Sequence, residues 1–220
     1  MKPNEKKYIF TDDIDYTKTS NDSVWWSEED LTKKVLLKNV KKGNWLNLCA
    51  WDGRFNNLLL ANADSVIALD IDEGPLEKLY RICPIELKNK LSIKTHNITK
   101  VFPFPDNSFD GIFCSWTLHL FSKDILIKIF WEIDRVLKYN WKIVIDFATD
   151  IKRQYDDGSL WIVENEPNYK LDEALTILEE LFKNYDTEFI NDVTLPELVI
   201  LDDKQYMFSC NYVLISATKQ

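Results

Sequence analysis

The chain has 220 residues, 45% hydrophobic and 29% charged, the proportions of a globular protein long enough to bury one sizeable core. Its formal net charge of −9 is the wrong sign for a protein held on nucleic acid by phosphate contacts, and its lysines are scattered among acids as on solvated helix faces. No stretch reaches the apolar length of a membrane span, and the charged start Met1-Lys2-Pro3-Asn4-Glu5-Lys6-Lys7 lacks the core of a signal peptide, so the cytoplasm is the default expectation.

Residues 1–26 are polar and aromatic and read as a flap over the sheet. Ser27-Glu28-Glu29-Asp30 predicts a capped, acid-rich helix start with an apolar stripe at Leu31, Val35 and Leu36, stopped by Lys41-Lys42-Gly43. A strand follows over Trp45 to Leu48, then a tight turn and a helix from about Gly53 to Asn62, for which Asp52 is a candidate N-cap. Ser65 to Asp70 is a short apolar run ending in an acid, as expected of a buried parallel strand. Pro75 marks a helix start, and Leu91 to Thr95 a third strand.

After the turn-rich Pro103 to Asn107, Phe109 to Ser115 predicts a fourth strand. The i, i+4 spacing of Ile125, Ile129, Ile133 and Leu137 predicts a helix over Lys123 to Leu137. Trp141 to Phe147 is the fifth strand, Leu171 to Asn184 a helix, and two strands lie near Thr187 to Val193 and Tyr206 to Ala217. Alternating strands and helices point to one domain over residues 1–220. Its expected fold is a Rossmann-like, doubly wound α/β sheet of about seven strands, mostly parallel, with an antiparallel C-terminal edge pair and helices on both faces.

The four cysteines, Cys49, Cys83, Cys114 and Cys210, have no Cys-x-x-Cys spacing and read as buried thiols, not as a zinc site or a disulfide framework. Glycine is scarce, at 5 residues, so positions that need positive φ must be met by other residues.

Four segments carry a resemblance. Trp45 to Phe55 runs strand, turn and helix start. Asp70 ends the second strand about twenty residues past the turn. His96-Asn97-Ile98 follows the third strand, and Phe102 to Asp110, Cys114 to Leu120 and Glu132 to Lys138 form a long specific block. With these motifs in this order, the chain resembles the class I S-adenosylmethionine-dependent methyltransferases, most of all the small-molecule branch that includes quinone-biosynthesis enzymes. The similarity spans roughly Trp45 to Phe147.

The resemblance implies S-adenosyl-L-methionine as cofactor, no metal, and a cofactor-binding set of Asn47, Cys49, Trp51, Gly53, Asp70, Ile71, Asn97, Ile98 and Ser115. Asp70 would accept the ribose diol, as a carboxylate can. Asn97 would meet the adenine amino group, and Gly53 and Arg54 the cofactor's carboxylate. His119 follows the fourth strand, where the family's substrate pocket opens, and is a candidate general base for the acceptor, although family members often carry His there without a base role.

Duller readings stand beside these: Asp70 as a strand-end acid, Asn97 as a turn residue, and Asp52 as a helix cap. Trp51 reads either as a plug or as an indole facing the sulfonium. Trp25, Trp26, Trp131 and Trp161 read as core or pocket-wall residues.

The chain also departs from the family. Cys49 and Trp51 stand where the family has glycine, Asn47 where it has Asp, and Tyr139-Asn140-Trp141 where it has Pro-Gly-Gly. Cys114-Ser115-Trp116-Thr117 is not the Asn/Asp-Pro-Pro-aromatic pattern of nucleic-acid amino methyltransferases. The expected function is methyl transfer to a small-molecule acceptor. The alternative is an inactive, methyltransferase-like binding or regulatory protein with a plugged site, in which Trp51→Gly would create or strengthen cofactor binding.

Overall fold

The computed structural model describes residues 29–193, 196–201 and 204–220. The expected flap, Ser27, Trp25 and Trp26 lie outside the described residues. Among the described residues, eight strands form one sheet: β1 (Asn44–Leu48), β2 (Ser65–Asp70), β3 (Leu91–Thr95), β4 (Phe109–Cys114), β5 (Leu137–Gln154), β6 (Tyr185–Val193), β7 (Glu197–Leu201) and β8 (Lys204–Lys219). Their order is β3-β2-β1-β4-β5-β8-β6, with β7 also paired to β8. The first five strands pair in parallel, while β8 runs antiparallel to β5, β6 and β7.

Helices α1 (Glu29–Asn39), α2 (Asn56–Asn62) and α3 (Glu73–Ile82) cover one face, and α4 (Lys123–Val136) and α5 (Leu171–Leu181) the other. Side chains alternate across the pleat. Trp45 therefore packs with Val35, Leu36, Leu59 and Leu79 on the first face, while Leu46 and Leu48 join Ile129, Ile133 and Ile177 on the second. A sheet buried on both sides explains why its central strands read as continuous apolar runs.

Three elements differ from expectation. First, α2 begins at Asn56 and not near Gly53. Consecutive turns, with Gly53 N–H donating to the Ala50 carbonyl and Asn56 N–H to the Gly53 carbonyl (both 2.8 Å), hold the chain out of the helix. Asp52 is not its N-cap; the carboxylate instead pairs with Lys78 Nζ at 3.3 Å.

Second, β5 is 18 residues long. It starts directly after α4, where Asn140 takes φ 63° at the place of a family glycine, a conformation Asn tolerates. Third, β5 and β8 continue beyond the carboxyl edge of the parallel strands, and β7, unforeseen within a turn-rich stretch, pairs with β8 there. Ile151, Val199, Tyr206 and Phe208 form a small separate core in this extension. Trp131 is 70% exposed on α4, against the expectation of a core role, because it faces away from the Ile129–Ile133 stripe.

Candidate active site

Every strand of the parallel set ends at the same edge, and the strand order reverses between β1 and β4. Ligands of open α/β sheets bind in the crevice at such a point. The turn after β1 forms one side of it. Cys49, Trp51 and Gly53 have φ of 53°, 42° and 82°, so alternate residues adopt the left-handed backbone of a glycine-rich turn although only one is glycine. Each non-glycine residue held there costs roughly 1–2 kcal/mol. Gly53 has a second constraint, because a Cβ would lie 2.6 Å from the Leu79 side chain.

Asp70 locks the turn. Its Oδ2 accepts the Trp51 N–H at 2.8 Å and its Oδ1 the Asp72 N–H at 3.1 Å, while Ala50 N–H donates to the Leu69 carbonyl at 3.0 Å. Burial pushes the Asp70 carboxyl pKa up, and the backbone donors of Asp72, Trp51 and Ile71 oppose it. Asn47 is buried beneath the turn, with its Nδ2 donating to Asn56 Oδ1 at 3.4 Å. Ile71 is half-buried beside Asp70.

Next along the edge, the Asn97 side-chain oxygen accepts both the backbone N–H and the hydroxyl of Thr99, each at 2.9 Å. That oxygen is already occupied within its own turn, as in the plainer reading of Asn97. Ile98 is buried against the core. His96 donates its backbone N–H to the Asp70 carbonyl at 2.7 Å, and its half-buried ring meets Phe102 edge-on. Burial lowers the His96 pKa, and its Nε2 has no hydrogen-bond partner among the described residues.

The opposite side of the crevice centres on Asp146 of β5, which sequence reasoning passed over. This carboxylate is 1% exposed. It accepts the Ser115 hydroxyl, the Trp116 N–H at 2.6 Å and the Tyr212 hydroxyl at 2.9 Å. Tyr212 in turn accepts from Thr32 of α1 at 2.8 Å. Burial pushes the Asp146 pKa up to about 6, against the pull of these donors and of the Arg54 charge. A signal was present in the sequence: the β5 run Ile143-Val144-Ile145 ends on an acid, as the β2 run does.

Asp146 fixes the turn after β4. Trp116 is held at φ 53°, with its indole tilted on Tyr212 (5.6 Å between centroids) and edge-on to Phe208 and His119. His119 is 5% exposed, and its Nδ1 lacks a hydrogen-bond partner among the described residues. Burial, with the Arg153 charge second, pushes its pKa down to about 3, so the ring is neutral. Trp161 lines the β5–β8 extension, packing on Tyr206 and under the Arg153 guanidinium.

The structure therefore gathers Asn47, Cys49, Trp51, Gly53, Asp70, Ile71, Asn97, Ile98 and Ser115 at the carboxyl ends of β1 to β4. His119 stands behind them, buried between Trp116 and Phe147.

Residues 46–145 match the methyltransferase domain family. The matched segment begins in β1 and ends in β5, so it spans the parallel half of the sheet and holds the residues at the carboxyl ends of β1 to β4, from Asn47 to His119, whereas Asp146, Phe147, Phe208, Tyr212 and Thr32 lie outside it. No curated protein matches the chain by sequence.

Solved structures share the fold over most of the chain. YcgJ from Bacillus subtilis is 13% identical, with a TM-score of 0.62 over 87% of this chain and 99% of its own. An S-adenosylmethionine-dependent methyltransferase from Mesorhizobium loti is 15% identical, with a TM-score of 0.60 over 88% of this chain and 98% of its own. DhpI, solved as an SAH complex, is 15% identical, with a TM-score of 0.57 over 85% of this chain and 81% of its own.

Proposed function

We propose that the chain is an S-adenosylmethionine-dependent methyltransferase acting on a small-molecule acceptor. One observation carries the reading: the turn after β1 keeps left-handed backbone at Cys49 and Trp51 without the glycines that make it cheap. Strain of this kind persists where the surrounding structure over-determines it, and it clusters at ligand sites. Here Asp70 over-determines it by holding the Trp51 N–H. The methyltransferase match over residues 46–145 and the fold shared with DhpI, solved as an SAH complex, support the same cofactor.

The residues present fit that cofactor. Cys49, Trp51 and Gly53 would hold its methionine half, with Asn47 beneath the turn. Asp70 and Ile71 would flank the ribose, Asn97 and Ile98 the adenine, and Ser115 the far side of the crevice. Asp70 accepts backbone donors from Trp51 and Asp72, and a carboxylate has about four lone-pair sites, which leaves room for a ribose hydroxyl. When bound, S-adenosylmethionine supplies an electrophilic methyl group on a sulfonium.

The chain's own part is to orient the acceptor and exclude water, which is the main demand of an in-line transfer. Trp116, Phe208 and Tyr212 supply an aromatic wall for this, braced by Asp146. With a pKa of about 3, His119 is a weak proton acceptor at neutral pH, and we assign it to packing behind Trp116. The formal charge of −9 favours a neutral or cationic acceptor, and reduced cysteines fit a cytoplasmic setting.

Incubation with methyl-labelled S-adenosylmethionine and a fractionated cell extract tests this reading. Label is expected in low-mass products. Label confined to RNA, DNA or protein would refute the acceptor class, and no transfer combined with a gain of cofactor binding in Trp51→Gly would favour an inactive, plugged relative.

A further inference from the structure

Cys49 and Cys114 come from neighbouring strands at the floor of the crevice. Leu48 of β1 pairs with Cys114 of β4, and Cys49 is the next residue. A strand spacing of about 4.8 Å and a rise of about 3.3 Å per residue place the two Cα atoms roughly 6 Å apart. That lies inside the span of about 4.4–6.8 Å that a disulfide bridges.

In an extended strand Cys49 would face away from Cys114, because successive side chains alternate. Its φ of 53° breaks the alternation, and Cys49 packs on the same core cluster as Cys114. Both thiols are reduced. Cys114 is fully buried, whereas Cys49 is half-exposed on the turn. An accessible thiol backed by a resolving one is the arrangement found in redox-sensing cysteines.

We propose that Cys49 and Cys114 form a dithiol modification site, which a peroxide closes into a disulfide across the β1–β4 crevice. Cys49, the more exposed of the two, reacts first, while the neighbouring Cys49 thiol and burial hold the Cys114 thiol well above its ordinary range. The Cys49 thiolate attacks one peroxide oxygen and the O–O bond breaks. The leaving oxygen takes up the released proton as water, and Cys49 becomes a sulfenic acid. The Cys114 sulfur then attacks the Cys49 sulfur, the S–O bond breaks, and the Cys114 proton leaves in a second water. Two thiols lose two electrons in all, and one peroxide is reduced to two waters.

The consequence for ligand binding rests on the proposed function. A cofactor lying on the turn covers Cys49 and slows its oxidation, and a disulfide that ties the turn to β4 in turn weakens cofactor binding.

The test treats the full chain with hydrogen peroxide while circular dichroism confirms the native fold. Two of the four thiols should be lost, and peptide mapping should find a Cys49–Cys114 crosslink that dithiothreitol reverses. Cys49→Gly, which gives the left-handed position its preferred residue and so keeps the fold, should form no crosslink at Cys114. S-adenosylhomocysteine should slow crosslinking on the order of tenfold. Cys49 found as a sulfinic acid beside an unreacted Cys114, or a bridge through Cys83 or Cys210, overturns the proposal. Crosslinking that proceeds at an unchanged rate with the ligand present upholds the dithiol site and counts against the cofactor's place on this turn.

Discussion

The Trp51 N–H donates to Asp70 Oδ2 at 2.8 Å, so a single carboxylate ties the turn after β1 to the end of β2 and holds an indole-bearing residue in left-handed backbone. Trp51→Gly and Trp51→Ala remove the same ring and differ only by a Cβ that this backbone disfavours. After allowance for glycine's greater unfolded-state entropy, the glycine variant should be the more stable by about 0.5–1 kcal/mol. Urea midpoints at a common slope measure this. Equal midpoints would show that Trp51 does not hold this conformation in solution.

Asp146, pushed up to about 6, keeps a proton in the folded chain that the unfolded chain releases between about pH 4 and pH 6. Its contribution to stability therefore falls as pH rises through that window and stays reduced above it. His119, pushed down to about 3, acts with the opposite sign: below about pH 6.5 the unfolded chain takes up a proton that the folded chain refuses. The two slopes oppose each other. Asp146→Asn should expose the rising slope, shifting the pH dependence by up to about 1.4 kcal/mol per pH unit relative to the parent. Parallel stability curves for parent and variant across this range would contradict the assignment.

The β5–β8 extension depends on a buried ion pair. Arg153 bonds both oxygens of Glu166, at 2.7 and 2.9 Å, with side-chain exposures of 9% and 3%. Arg153→Leu strands the Glu166 charge and should cost roughly 3–5 kcal/mol, whereas Arg153→Leu with Glu166→Leu should recover most of the loss. Chemical denaturation of the two single variants and the double variant reads the coupling. Additive losses would mean the pair is solvated.

Gly111 sits in β4 directly against the Trp45 indole, where an added Cβ would lie 2.2 Å from Cε2. Gly111→Ala should destabilise by about 1–3 kcal/mol through overpacking, and adding Trp45→Leu should relieve part of that. Thermal unfolding of both variants decides the matter. An unperturbed Gly111→Ala would place the ring elsewhere.

The strands and helices from β1 to α4 were legible because local signals and burial agreed there: apolar runs for strands covered on both faces, and an i, i+4 stripe for α4. The left-handed turn was legible only as a conflict. Cys49 and Trp51 occupy glycine positions, and nothing local tells whether the backbone or the residue gives way. Asp70 settles it from a distant strand. Asp146 was harder to see because its donors, Ser115, Trp116 and Tyr212, come from the turn after β4 and from β8. The length of β5 and the presence of β7 were hidden for the same reason, since their pairing with β8 joins residues far apart in the chain.

Isothermal titration of S-adenosylhomocysteine into the parent and into Asp70→Ala tests the crevice most directly. The account predicts saturable, one-site binding to the parent and at least a tenfold weaker interaction in the variant, which loses both the ribose acceptor and the anchor of the Trp51 turn. No heat from the parent with ligand at millimolar concentration, or equal affinity in the two proteins, would contradict it.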